Sequence, residues 1–236
     1  MLWVLFDGEI AAGVWTLTVT DDDDDDSGTL NSWGLQFNSG DPGSTPVCSA
    51  ASCEDILEET PSSPDGTYWL DGYSTGTASQ YSCDMTNGGW TEVSAEDFDA
   101  TGPSPNWSMT STYTCSGDTL LGGFNNIANG TITRTFDTSA HPHTEARIAT
   151  EYWFVDSWDG EGGWIDIDGS NLWYSTWSFY WSSSNLCGGG WDDSSTFIDQ
   201  TVSHSSSTLF YSAGSSLNQS ANDESFGIDD VTIWIR

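Results

Sequence analysis

The chain has 236 residues and a formal net charge of −33, with 36 Asp and Glu set against three basic residues, Arg134, Arg147 and Arg236. Such a surface excludes nucleic acid and anionic membranes as partners, because both need Lys or Arg to meet phosphate. It suits a high-salt, marine or halophilic setting, where screening over roughly 3–10 Å relieves self-repulsion. The chain is 36% hydrophobic with 14 Trp, 8 Tyr and 10 Phe, enough to build a core. High Ser, Thr, Gly, Trp and Tyr is strand-forming composition. No stretch reaches the roughly 20 apolar residues of a membrane helix, so no membrane insertion is expected.

In chain order, Val14–Val19 (VWTLTV) and Leu30–Phe37 (LNSWGLQF) alternate as strands, and TDDDDDDSGT between them reads as a solvated hairpin loop. MLWVLFDGEIAAG has no basic segment before its short apolar run and is not a secretory leader. The chain is therefore expected to be part of a larger, multidomain protein. The pattern F-x-G-x-x-x-x-G-x-W-T-L-x-V-x-D followed by D-x-G-x-L-x-x-W-x-L-x-F resembles the C-terminal half of the P (homo B) domain of proprotein convertases and other subtilisin-like proteases. The resemblance implies a partial jelly-roll hairpin over 1–38. No catalytic motif accompanies it: neither a G-x-S-x-G-type nor a subtilisin-type Ser, His and Asp set is present. The many accidental carboxylate pairs single out no glycosidase dyad. The chain is thus read as non-enzymatic, although its parent could be a secreted serine peptidase.

Residues 39–47 read as a Gly/Pro/Ser/Thr linker. In 48–92, Cys53–Leu57 is a short helical turn stopped before Pro61, Asp65–Leu70 is a turn into a strand, and Gln80–Met85 is the next strand. C-x-x-I-L, D-G-x-Y-W and Y-x-C-D-M-x-x-G-G-W-T resemble the opening of the fibrinogen C-terminal domain, and imply a disulfide between Cys53 and Cys83. Nothing after Glu92 follows that family, so the resemblance covers only a small α+β stub, and its ligand pocket is not implied here.

Residues 93–236 show strand signals every 10 to 15 residues: TITRTFDT, ARIATEYWFV, WIDIDG, NLWYSTW, STFIDQTV, TLFYSAG and GIDDVTIWI. That spacing predicts an all-β, jelly-roll-like antiparallel sandwich. Cys115 and Cys187 are the only cysteines of this unit and are paired on that ground. Cys48 is left over, free or bonded to an external partner. The five cysteines contain no CxxC pair and point to an oxidising, extracellular compartment. IATEYWFVDSWDGE with a late DESFGIDDVTIWI resembles a β-sandwich module of secreted and surface proteins of aquatic bacteria and ciliates. Its ending also resembles lectin-like and MAM-like jelly rolls.

Two constellations carry the functional expectation. Asp156, Asp159 and Glu161 crowd one turn, and Glu224, Asp229 and Asp230 sit on the last strand; converging, they would form a Ca²⁺ site, since Ca²⁺ takes six to eight oxygen ligands. The alternative is a turn whose carboxylates cap backbone N–H groups, with Asp156 and Glu161 bracing it. Trp153, Trp158, Trp164, Trp173, Trp177, Trp181 and Trp191 are dense between β signals; Trp in strands is usually core. Trp158, on the turn, then Trp164 and Trp191, are the expected exposed rings that stack on a sugar. His141 and His143, flanking Pro142 in a loop, read as surface residues, and His204 follows a strand; none of the three is read as a ligand. The expected function is a Ca²⁺-supported extracellular recognition module for a glycan or surface protein, with a structural spacer in an adhesin, or the accessory region of a secreted peptidase, as the alternatives.

Overall fold

The structure, a computed structural model, describes Thr18 and residues 40–100 and 102–236. Apart from Thr18, the P-domain-like strands expected over 1–38 lie outside the described residues. The helical turn is α1 (Cys53–Glu59), which Ser52 starts by accepting the Asp55 N–H at 3.0 Å; Glu54 and Asp55 then lie at its positive end. A meander of β1 (Gly66–Leu70), β2 (Ser79–Asp84) and β3 (Trp90–Glu96) follows. The helix buries Cys53 and Ile56 against Leu70, Cys83 and Met85, and a disulfide joins Cys53 to Cys83.

The remaining strands are β4 (Thr112–Cys115), β5 (Asp118–Gly122), β6 (Gly130–Asp137), β7 (Glu145–Asp156), β8 (Asp159–Ile167), β9 (Ser170–Ser178), β10 (Ser194–Ser203), β11 (Thr208–Ser215) and β12 (Glu224–Ile235). Together with β1–β3 they form two antiparallel sheets, of eight and four strands. In the larger sheet β12 is central. β7 pairs with it from Glu224↔Asp156 to Ile235↔Ala146, and β10 lies beyond β7. The other edge of β12 is divided: β3 takes Val231–Ile235 and β5 takes Gly227–Ile228. β3 thus runs across residue 92, and the small unit's meander continues the sandwich sheet. The smaller sheet has the order β6-β11-β8-β9.

Period-two alternation builds the core. Ala146, Ile148, Tyr152 and Phe154 of β7 and Phe226, Ile228, Ile233 and Ile235 of β12 face Ile165 and Ile167 of β8 and Leu209, Tyr211 and Ala213 of β11. The opposite face of the larger sheet carries a second cluster, Leu120, Trp153 and Val155, closed by the Cys115–Cys187 disulfide. Cys48 carries a free thiol.

All three arginines hold ion pairs. Arg134 meets Glu96, Arg147 bridges Asp84 of β2 and Asp199 of β10 at 2.8 and 2.6 Å, and Arg236 meets Glu145 at 2.6 Å. The few cations present are thus spent on joining strands distant in sequence. Among the described residues no helix is long and apolar enough to cross a membrane.

Candidate recognition end of the sandwich

The DSWDGE turn and the start of β12 meet. β7 ends at Asp156, which stands in the left-handed region at φ +67° and is only 1% exposed. Left-handed backbone is tolerated by Asp better than by most residues. The chain then turns so that the Ser157 hydroxyl donates to the Asp223 carbonyl at 3.0 Å and its carboxylate at 2.9 Å. One residue on, Trp158 points inward.

Trp158 corrects the sequence-based expectation. It is fully buried, its ring lies among Phe154 and Tyr152, and its Nε1–H donates to the Ser225 carbonyl at 2.7 Å. The turn anchors itself by this ring, so the ring offers no face to a ligand. Trp164 is half-buried on the outside of the smaller sheet: it pairs with the exposed Tyr174 and lies over Gly214, where a Cβ would collide with the indole. Trp191 is 47% exposed.

The six expected metal ligands separate into three places. Asp159, Glu161 and Glu224 converge, each with an oxygen within 4.8 Å of the others. Glu161 accepts the Asp159 N–H at 2.8 Å and the Asn218 amide at 2.9 Å, while Glu224 accepts the Gln219 amide at 3.0 Å. Burial, then repulsion from Glu161, raises the Glu224 pKa above the usual carboxylate range. Three carboxylates converging in this way could supply oxygen ligands to a hard cation such as Ca²⁺.

Asp229 and Asp230 are not part of that set. Alternation along β12 sends Asp229 to the face opposite Phe226 and Ile228, five residues from Glu224, about 16 Å along an extended strand. There it faces Glu151 in register, and Glu151, Asp229 and Asp230 form a second convergence within 4.8 Å. Burial first, then the charges of Asp230, Asp99 and Asp118, push the Asp229 pKa up to about 8.

Asp156 is not with either set; it does the bracing work of the alternative reading. Its carboxylate accepts the backbone N–H of Gly189 and that of Trp191, the latter at 3.1 Å. Asp193 complements it, accepting the N–H groups of Asp156, Leu186 and Cys187 at 2.8, 2.6 and 2.8 Å. Burial raises the Asp193 pKa, and these N–H bonds oppose the shift.

The two carboxylates thereby fix the β9–β10 loop, which carries the most exposed rings of the sandwich. Tyr180 is 77% exposed and Trp181 68%, and Phe179 packs between Tyr180 and Trp191 with centroids at 3.9 and 4.6 Å. Tyr180 was not singled out in the sequence. The signal is the run SFYWSSSN: three consecutive aromatics put large rings on both faces of any strand, so they cannot all enter one core. The loop starts beside the carboxylate triad, since Ser178 pairs with Asp159 and the Phe179 N–H donates to the Trp158 carbonyl at 2.9 Å.

His141 does not lie at the surface where the sequence put it: it is 3% exposed, and His204 7%. His141 Nδ1 meets the Ala51 carbonyl and His204 Nε2 the Thr208 carbonyl.

The proprotein convertase P-domain family matches residues 2–37. A comparison with curated proteins yields no match. Among solved structures the chain is similar to the dimeric latent PorU of Porphyromonas gingivalis, at 13% identity and TM-score 0.39, over 62% of this chain and 13% of that one. It is similar to the K3 cleaved adhesin domain of Lys-gingipain from the same organism, at 12% identity and TM-score 0.39, over 60% of this chain and 98% of that one. A further likeness is to the C-terminal CBM6 of LamC, a marine laminarinase from Zobellia galactanivorans, at 16% identity and TM-score 0.31, over 61% and 98%. The segment at 2–37 is thus similar to a P-domain, and the chain spans only a small part of PorU.

Proposed function

We propose that this chain is a non-catalytic, extracellular recognition module that binds an uncharged glycan through the β9–β10 loop, with Ca²⁺ held by Asp159, Glu161 and Glu224. The observation that carries the reading is the fixed aromatic tip: Tyr180, Trp181 and Trp191 stand in solvent on a loop clamped by two buried carboxylates and a disulfide. Exposed rings held rigid before binding lose little entropy when a sugar face stacks on them. The net charge of −33 repels sulfated and uronate polymers, so the ligand class is neutral polysaccharide. Ca²⁺ at the neighbouring triad would relieve the carboxylate repulsion and fix the loop's starting point.

Titration against a panel of neutral and anionic polysaccharides, in Ca²⁺ and in EDTA, tests this. Trp181→Ala and Trp191→Ala are each expected to weaken neutral-glycan binding ~10-fold, about 1.4 kcal/mol, and Trp181→Ala to do so without lowering the thermal midpoint. Ca²⁺ is expected to raise the midpoint, and Asp159→Ala to abolish that rise. No binding to any neutral glycan sinks the glycan claim; an unchanged midpoint in Ca²⁺ sinks the metal claim. Failure of both leaves a disulfide-bonded spacer.

A second reading rests on the P-domain match at residues 2–37: the module is the accessory region of a secreted subtilisin-like peptidase. Reading the coding sequence upstream of residue 1 decides it: a subtilisin-like catalytic domain there supports this reading, and any other content overturns it.

A further inference from the structure

The chain has three histidines, and all of them lie on one hydrogen-bonded line. His141 Nδ1 faces the Ala51 carbonyl at 3.0 Å, and the His141 carbonyl faces His143 Nδ1 at 2.8 Å. His143 Nε2 then faces His204 Nδ1 at 2.8 Å. At the far end His204 Nε2 faces the Thr208 carbonyl at 3.2 Å and lies 3.4 Å from Asp168 Oδ2.

Proton counting along this line has one solution. A carbonyl oxygen offers only lone pairs, so the nitrogen opposite it must carry the hydrogen. That places N–H on His143 Nδ1 and on His204 Nε2. A neutral imidazole has a single N–H, so the two inner nitrogens would both be bare. Two bare nitrogens at 2.8 Å repel; a proton between them turns the same distance into a normal hydrogen bond. The ring planes are only 14° apart, which suits an N–H···N bond in the plane of both rings.

We propose that His143 and His204 bind one proton between Nε2 and Nδ1, so that the pair carries a single positive charge and latches the β6–β7 loop to the β10–β11 turn. The charged groups around the pair are Asp168 on the β8–β9 turn, Asp137 at the end of β6, His141 in the same loop, and the Glu145–Arg236 ion pair at the start of β7 and end of β12. Asp168 is the nearest and favours the charge. The latch reaches the small unit as well, because the same loop hands His141 to the Ala51 carbonyl.

Nitrogen NMR of the full chain with labelled histidine tests the assignment directly. At pH 7 the expected spectrum has three N–H protons on the His143–His204 pair and a coupling across the inner N···N bond. Two singly protonated rings without that coupling, in a folded chain, overturn the proposal.

Discussion

The carboxylate of Asp156 accepts the backbone N–H of Trp191, 35 residues away, at 3.1 Å, and through that bond the end of β7 sets the position of an exposed aromatic ring. The same carboxylate takes the N–H of Gly189. A residue from the acidic turn thus acts on the tip as a support, not as a cation ligand.

Removing that support should cost stability whether or not Ca²⁺ is present. Hydrogen bonds to a charged acceptor contribute about 1.5–3 kcal/mol each, and Asp156 supplies two in a buried place. Asp156→Ala is expected to lose on the order of 3 kcal/mol, roughly 10 °C of thermal midpoint for a chain this size. Asp156→Asn, which tolerates the left-handed backbone and keeps one good acceptor, should lose about half as much. Melts in Ca²⁺ and in EDTA check this: equal losses in both are expected, and a loss confined to Ca²⁺ would make Asp156 a metal ligand after all.

The second acidic convergence sets a pH dependence. Asp229 is 4% exposed and burial pushes its pKa up to about 8, from the ordinary carboxylate value of 3.8. Between those values the folded chain keeps a proton that the unfolded chain has lost. Stability therefore falls as pH rises through this window and levels off above it. Asp229→Asn removes the cost of ionising the site. Melts in EDTA should show the variant roughly 5 °C above wild type at pH 9, with the gap narrowing towards pH 5. A gap that stays constant would place the effect elsewhere than in this proton.

Much of this architecture could be read from the chain because the strands alternate clearly. β7, β9, β10, β11 and β12 each contain the stretch expected of them, β6 contains all of its stretch but Thr138, and the turn after β7 does meet the start of β12. What alternation does not carry is partnership at long range. β3 pairs with β12 across more than a hundred residues, so the continuity of the small unit with the larger sheet has no local signature. Face assignment fails for a related reason. Glu224 and Asp229 are close in sequence, yet an odd spacing on a strand puts them on opposite faces. Trp158 was misread because one left-handed residue, Asp156, redirects the turn, and nothing in the letters DSWDGE states that the indole goes inward. The P-domain pattern at residues 2–37 and the antiparallel β-sandwich are both legible in the sequence, the first because its motif is dense enough to recognise.

Trp158 and Trp181 should therefore separate cleanly under mutation. Trp158 has no exposed surface, packs against Phe154 and Tyr152, and gives its N–H to the Ser225 carbonyl. Truncating a buried Trp to Ala typically costs 3–5 kcal/mol, since both transfer energy and a cavity are involved. Trp158→Ala is expected to lower the thermal midpoint by roughly 12 °C, while the folded fraction binds glycan with wild-type affinity. Trp158→Phe keeps most of the packing but leaves the Ser225 carbonyl without its partner, for a loss of about 1–3 kcal/mol. Trp181→Ala should do the reverse, losing affinity at an unchanged midpoint. Calorimetric melts paired with glycan titration on the three variants give the comparison. If Trp158→Phe loses affinity while its midpoint holds, the indole of Trp158 is reaching a ligand and the buried assignment of this ring fails.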